Sequence, residues 1–174
     1  MKRLWLFAAF LSCFFNSRAQ STDALFLTAA IRKLEHSRDY TLEVARLMPP
    51  TEYGFSPVPE EMSFAEQLLH LSQNLGWLSA SYLRGEDNPV GDADMKLHDK
   101  DSIIAVVGRV YDYALTALEK FPPDHLKDNV SFFAGPMNKL QIINLINDHQ
   151  THHRAQLLVY LRLKGIKPPE YLGW

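Results

Sequence analysis

The stretch Asp148-His149-Gln150-Thr151-His152-His153-Arg154-Ala155-Gln156 places three of the chain's seven histidines within five residues. It lies inside a pattern of helical period running from about Met137 to Lys164, with Ile142, Ile146, Leu157, Tyr160 and Leu163 on the apolar side and Leu161 beside them. At about 3.6 residues per turn, His149 and His153 sit one turn apart and diverge by about 40° around the axis. Two imidazoles placed this way can grip one metal ion, and a third ligand must then come from another helix. His153 falls within the apolar arc and His149 at its shoulder. His152 and Gln156 sit toward the other edge, which makes His152 a surface or supporting residue rather than a ligand. Gly165 suits the position after the helix, and Pro168-Pro169 prevents continuation.

Three more helices precede this one. Ser21-Thr22-Asp23 offers capping side chains, and Leu27, Ile31, Leu34, Thr41, Ala45 and Met48 make a seam interrupted by Arg38 before Pro49-Pro50 stops it. Arg38 reads either as a side chain snorkelling past its neighbours or as an anion-binding group facing a metal cavity. Thr51 to Glu61 is a proline-rich loop. Ser63-Phe64-Ala65-Glu66 is a capping box opening a second helix through about Arg84, with Phe64, Leu68, Leu71, Leu75, Leu78 and Tyr82 inward. His70 lies about 120° from the centre of that face, on a stripe with Gln67, Asn74 and Trp77. Gly85 to Lys100 is an acidic connection whose spacing fits no EF-hand. Asp101-Ser102 is expected to cap a third helix through Phe121, with Ile103, Val107, Val110, Ala114, Leu118 and Phe121 inward. The final Trp174 is expected to pack back on the helices, and His36, His98 and His125 to be solvated. Four helices and no strands predict an all-α four-helix bundle.

Residues 1–20 read as a secretory signal peptide. Lys2 and Arg3 precede an apolar run from Leu4 to Phe15, and Ser17-Arg18-Ala19 ends in small residues where a signal peptidase cuts. The run is too short for a spanning helix, and a retained membrane anchor is the alternative. Residues 21–174 are then the folded domain, expected in the periplasm or outside the cell with no stable membrane insertion. The whole chain carries a formal charge of −2; loss of Lys2, Arg3 and Arg18 leaves 15 basic against 20 acidic residues. A mildly acidic domain without basic clusters excludes nucleic acid as a partner. The only cysteine, Cys13, leaves with the leader, so disulfides, a cysteine nucleophile and cysteine ligands are excluded from the mature domain.

Ser63 to His70, His149 to Gln156 and the ending Gly165-Ile166-Lys167-Pro168-Pro169-Glu170-Tyr171 together resemble the DinB-like family of metal-binding four-helix bundles, over roughly residues 22–174. In the second motif Ala155 stands where the family usually has glycine. The resemblance implies His70, His149 and His153 as a three-histidine site for a divalent metal, and homodimers formed through helix faces. Asn74 and Gln156 are expected to line the pocket, with Arg38 the further candidate.

Three imidazoles leave a position for water or substrate, the arrangement of a catalytic rather than a structural site. Imidazole suits zinc, nickel, iron or copper, with zinc or nickel expected first. The resemblance implies a metal-dependent hydrolase or a transferase acting on low-molecular-weight thiols. Export argues against the thiol chemistry, since such thiols are chiefly cytosolic. The sequence identifies no general base, so a non-catalytic module for metal or a small ligand stands beside the enzyme, and a bundle with merely packed histidines is the third reading.

Overall fold

Capping side chains and prolines set the helix limits. The computed structural model describes residues 21–174; the expected export segment lies outside the described residues. Ser21 caps α1 (Thr22–Leu47) by accepting from the Ala24 N–H at 3.2 Å. Ser63 and Glu66 form the expected capping box of α2 (Phe64–Leu78), which runs on as a π-helical segment over Ser79–Arg84. The cap of α3 (Lys100–Glu119) is Asp99, which accepts from the Ser102 N–H at 2.8 Å, rather than the expected Asp101-Ser102. Asn138 and Gln141 box the start of α4 (Lys139–Leu163). At its end the Ile166 N–H reaches the Leu161 carbonyl at 2.8 Å and the Gly165 N–H reaches that of Arg162 at 2.9 Å. Gly165 adopts φ +72°, as this left-handed stop requires.

A two-stranded hairpin escaped the sequence reading. Between α3 and α4, β1 (Asn129–Val130) pairs antiparallel with β2 (Met137–Asn138). Two residues per strand are too few for an alternation to show.

The helices form a square in which α1 and α2 each pack against both α3 and α4, so α1 lies diagonally across from α2 and α3 from α4. The core holds Leu34, Val44, Phe64, Leu68, Leu75, Ile103, Val107, Leu118, Ile142, Ile146 and Leu157, all fully buried. Two seam positions differ from expectation. In α1 the buried line passes through Ser37 and Thr41, and Arg38, one residue round the helix, points to the surface. In α4 Leu161 is buried while Leu163 is 58% exposed. Trp174 meets the bundle edge-on at His36, whose Nδ1 lies 2.6 Å from the Trp174 carbonyl oxygen, and stays largely exposed. His125 lies 2.6 Å from Asp128.

Ser37 lies inside because it belongs to a buried hydrogen-bond chain. Arg154 Nη1 donates to Ser37 Oγ at 2.5 Å, and Ser37 Oγ lies 3.0 Å from the Tyr111 hydroxyl. That hydroxyl donates to Gln150 Oε1 at 3.0 Å, and Gln150 Nε2 donates to the Leu71 carbonyl at 3.0 Å. The path visits α4, α1, α3, α4 and α2. Tyr111→Phe keeps the ring but strands Gln150 Oε1 without its donor. We expect it to lower unfolding stability by about 1–3 kcal/mol, the cost of an unsatisfied buried group. Urea denaturation checks this, and an unchanged midpoint would show the chain to be dispensable.

Candidate metal centre

α2 contributes His70, and α4 contributes His149 and His153. One nitrogen from each of the three rings lies within 4.8 Å of the others. Ring centroids are 5.1 Å apart for His70 and His149, 4.5 Å for His70 and His153, and 4.4 Å for His149 and His153. Three nitrogens on one tetrahedral zinc, each about 2.0–2.1 Å from the ion, stand about 3.3 Å apart, so side-chain adjustments of about 1 Å would close the set. The pair on α4 meets because residues four apart share a face, and the α2–α4 packing brings the third ring.

Electrostatics suit a cation in its metal form and oppose protons. Burial, and then the neighbouring His149, His70 and His152, hold His153 down to about 3. Burial, then His70 and His152, hold His149 down to about 4. His70 is lowered as well, by burial first and His152 second. All three rings are therefore neutral near pH 7 and keep lone pairs for a metal. Nδ1 of His149 is buried without a hydrogen-bond partner, a nitrogen that a metal ion can satisfy. The donor set and this orphaned atom fit a divalent ion.

A supporting network surrounds His153, which is only 6% exposed. Its Nδ1 lies 2.6 Å from Oε1 of the fully buried Gln67. With that oxygen accepting, Nδ1 carries the proton and Nε2 keeps its lone pair. Gln67 Nε2 in turn donates to Gln156 Oε1, and Gln156 Nε2 contacts His152 Nε2 at 2.9 Å. His152 itself is exposed. Gln67 was placed on the stripe with His70 by its spacing, but its role was not assigned. The sequence offered only its spacing from His70, and its bond to His153 depends on that ring's rotamer.

Of the remaining sequence candidates, Asn74 lines a recess of about 330 Å³ together with His70, Gln73, Trp77 and Asn88. Gln156 reaches the group through Gln67. Arg38 is not brought there: it pairs with Asp39 at 3.1 Å and Asp112 at 2.9 Å, in a separate surface recess with Glu35 and His36. Its partners are one carboxylate on its own helix and one on α3. Gly76 shapes the recess, since a Cβ there would stand 2.4 Å from Asn88 Oδ1. Its absence lets Asn88 close on α2, donating to the Gln73 carbonyl at 3.1 Å.

The family model of the DinB superfamily matches residues 33–157. An uncharacterized protein, YjoA, from Bacillus subtilis is 23% identical over 132 residues, which are 74% of this chain and 84% of that protein. The crystal structure of that DinB-like protein superposes with a TM-score of 0.68 at 16% identity, covering 83% of this chain and 96% of the other. A DinB-like protein from Bacillus cereus gives 0.65 at 18% identity, covering 87% and 98%. These likenesses carry the bundle fold.

The depressed histidines set a pH dependence for metal-free protein. Their ordinary value is 6.5, so as pH falls below it the unfolded chain takes up protons before the folded one, and stability declines until the folded values of about 4 and 3 are passed. The metal-free protein should therefore unfold at lower urea near pH 5 than near pH 7. A His149→Asn, His153→Asn double variant should show a smaller difference. An equal difference in both proteins would place the proton uptake elsewhere.

Proposed function

This chain belongs to the DinB superfamily, and from that premise we propose that it binds a divalent metal ion, zinc or nickel, through His70, His149 and His153 and acts outside the cytoplasm as a hydrolase on a small molecule. The observation that carries the reading is the convergence of three neutral imidazoles beside an open recess that one of them, His70, also lines. A metal ion held there supplies a Lewis acid that activates water or polarises a substrate carbonyl.

The chain's own residues do the rest. His149 and His153 hold the ion against α4, and His70 fixes it to α2. Gln67 orients the His153 ring and sets its tautomer through Nδ1. The apolar core behind the rings keeps water from one side, and the recess admits substrate from the other. Hydrolysis is preferred over thiol transfer because the expected export removes the protein from the main thiol pool. One observation favours a non-catalytic binding module as the second reading: the recess is lined by amides and rings, with no carboxylate among its described lining residues to serve as a base.

Elemental analysis of the exported protein should find about one metal ion per chain, and His153→Ala should lose it. Full occupancy in that variant would sink the assignment. Gln67→Leu, which leaves the three imidazoles in place, should weaken metal affinity about 10–100-fold. Ester and amide hydrolysis assays on the zinc and nickel forms then separate the readings, since metal-dependent turnover supports the hydrolase and uniform inactivity with intact metal binding supports the module.

A further inference from the structure

Besides its apolar seam, α2 carries a second stripe, Gln67, His70, Asn74 and Trp77, at spacings of three and four. Gln67 bonds His153, and His70 completes the trio. Asn74 and Trp77 have no part in holding a metal, yet both line the recess that His70 lines. Asn74 Oδ1 is buried with no donor, so hydrogen-bonding capacity at the recess wall goes unused. Trp77 follows His70 by seven residues, two turns or about 10 Å along the axis.

An aromatic platform surrounds Trp77. Phe132 stacks on it at 5.8 Å and 27°, Phe133 at 6.4 Å and 28°, and Tyr82 meets it edge-on at 5.6 Å. Phe132 and Phe133 sit in the loop joining β1 to β2, and Phe133 is 84% exposed. A phenylalanine left in water against a tryptophan that lines the His70 recess marks a surface suited to an apolar group. The lining holds no Asp, Glu, Lys or Arg, and its imidazole is neutral near pH 7, which suits an uncharged body.

We propose that this recess is the substrate subsite of the metal centre and takes an elongated, uncharged small molecule. Its metal-binding head meets the histidines, a hydrogen-bonding group near its middle meets Asn74, and a flat aromatic end lies against Trp77 and Phe133. The inference rests on the metal-centre reading. A volume of about 330 Å³ is enough for one ring with a short chain. The hairpin between α3 and α4 thereby gains a task, since it brings the aromatic wall to α2.

Two probes test the proposal. On metal-loaded protein, 4-phenylbutyrohydroxamic acid should bind at least about tenfold tighter than acetohydroxamic acid, because its ring is buried against the platform. Phe133→Ser and Trp77→Ala should each cut that advantage while metal content and acetohydroxamic acid affinity stay unchanged. Equal affinity of the two compounds, or an advantage that survives both substitutions, overturns the subsite. On metal-free protein, 4-phenylbutan-1-ol should shift the Trp77 indole N–H resonance, identified by its loss in Trp77→Ala. A shift in a protein that takes up no metal would refute the metal centre and uphold the aromatic subsite. Absence of the shift in a protein that does bind metal would refute the subsite alone.

Discussion

The architecture depends on one buried polar path, from Arg154 through Ser37, Tyr111 and Gln150 to the Leu71 carbonyl. Apolar burial drives the four helices together, but it is non-directional and tolerates small rotations and slides. A hydrogen bond between buried groups does not, because a misaligned donor leaves a desolvated group costing about 1–3 kcal/mol. Each link of the path joins a different pair of helices, so a rotation of any one helix breaks at least one link. Net stabilisation per link is modest, on the order of 1 kcal/mol, and its larger effect is to select one register of the bundle.

That register is also the register of the histidines. On α4 the residues Gln150 and Arg154 are each one position after His149 and His153, so the two pairs sit about 100° apart on the same turns. Fixing the polar pair fixes the imidazole pair. Arg154 is 4% exposed and has no carboxylate partner among the described residues. It is held by the Ser37 and Thr151 hydroxyls and stands 5.1 Å from the centre of the Tyr40 ring. Hydroxyls and an aromatic face compensate a guanidinium less than a carboxylate does, yet they leave no anion in the core to compete for a metal nearby.

How much of this was legible in the sequence follows from what each signal depends on. The pairing of His149 with His153 is a property of any α-helix, so spacing alone suffices. The four helices follow from apolar periodicity bounded by Ser21, Ser63, Pro49-Pro50 and Gly165, all local features. Ser37 and Gln150 were illegible because a buried polar residue resembles a surface one until its partner is known, and their shared partner Tyr111 lies 74 and 39 residues away. The same blindness left the α1 seam interrupted at Arg38, where the buried line runs through Ser37. His70 could be placed on α2 from its period, but its convergence with α4 entered only through the family resemblance. The role of Gln67 required the rotamer of His153.

The packing of α4 against α2 therefore meets two opposite solvation demands. Gln150 and Arg154 need a dry surrounding, because water would compete for each link of the polar path. His70 and Asn74 line an open recess with Asn88, and under the proposed function that is where a ligand arrives. The protein reconciles the two by setting His70 off the centre of the α2 seam. A histidine at the seam's centre would be buried beyond reach, and one on the far side of α2 would face bulk water with no second helix to meet. At about 120° from the centre it is half-buried, lowered in basicity, and still open to the recess. The off-centre angle is thus what makes His70 usable as the third member of the group.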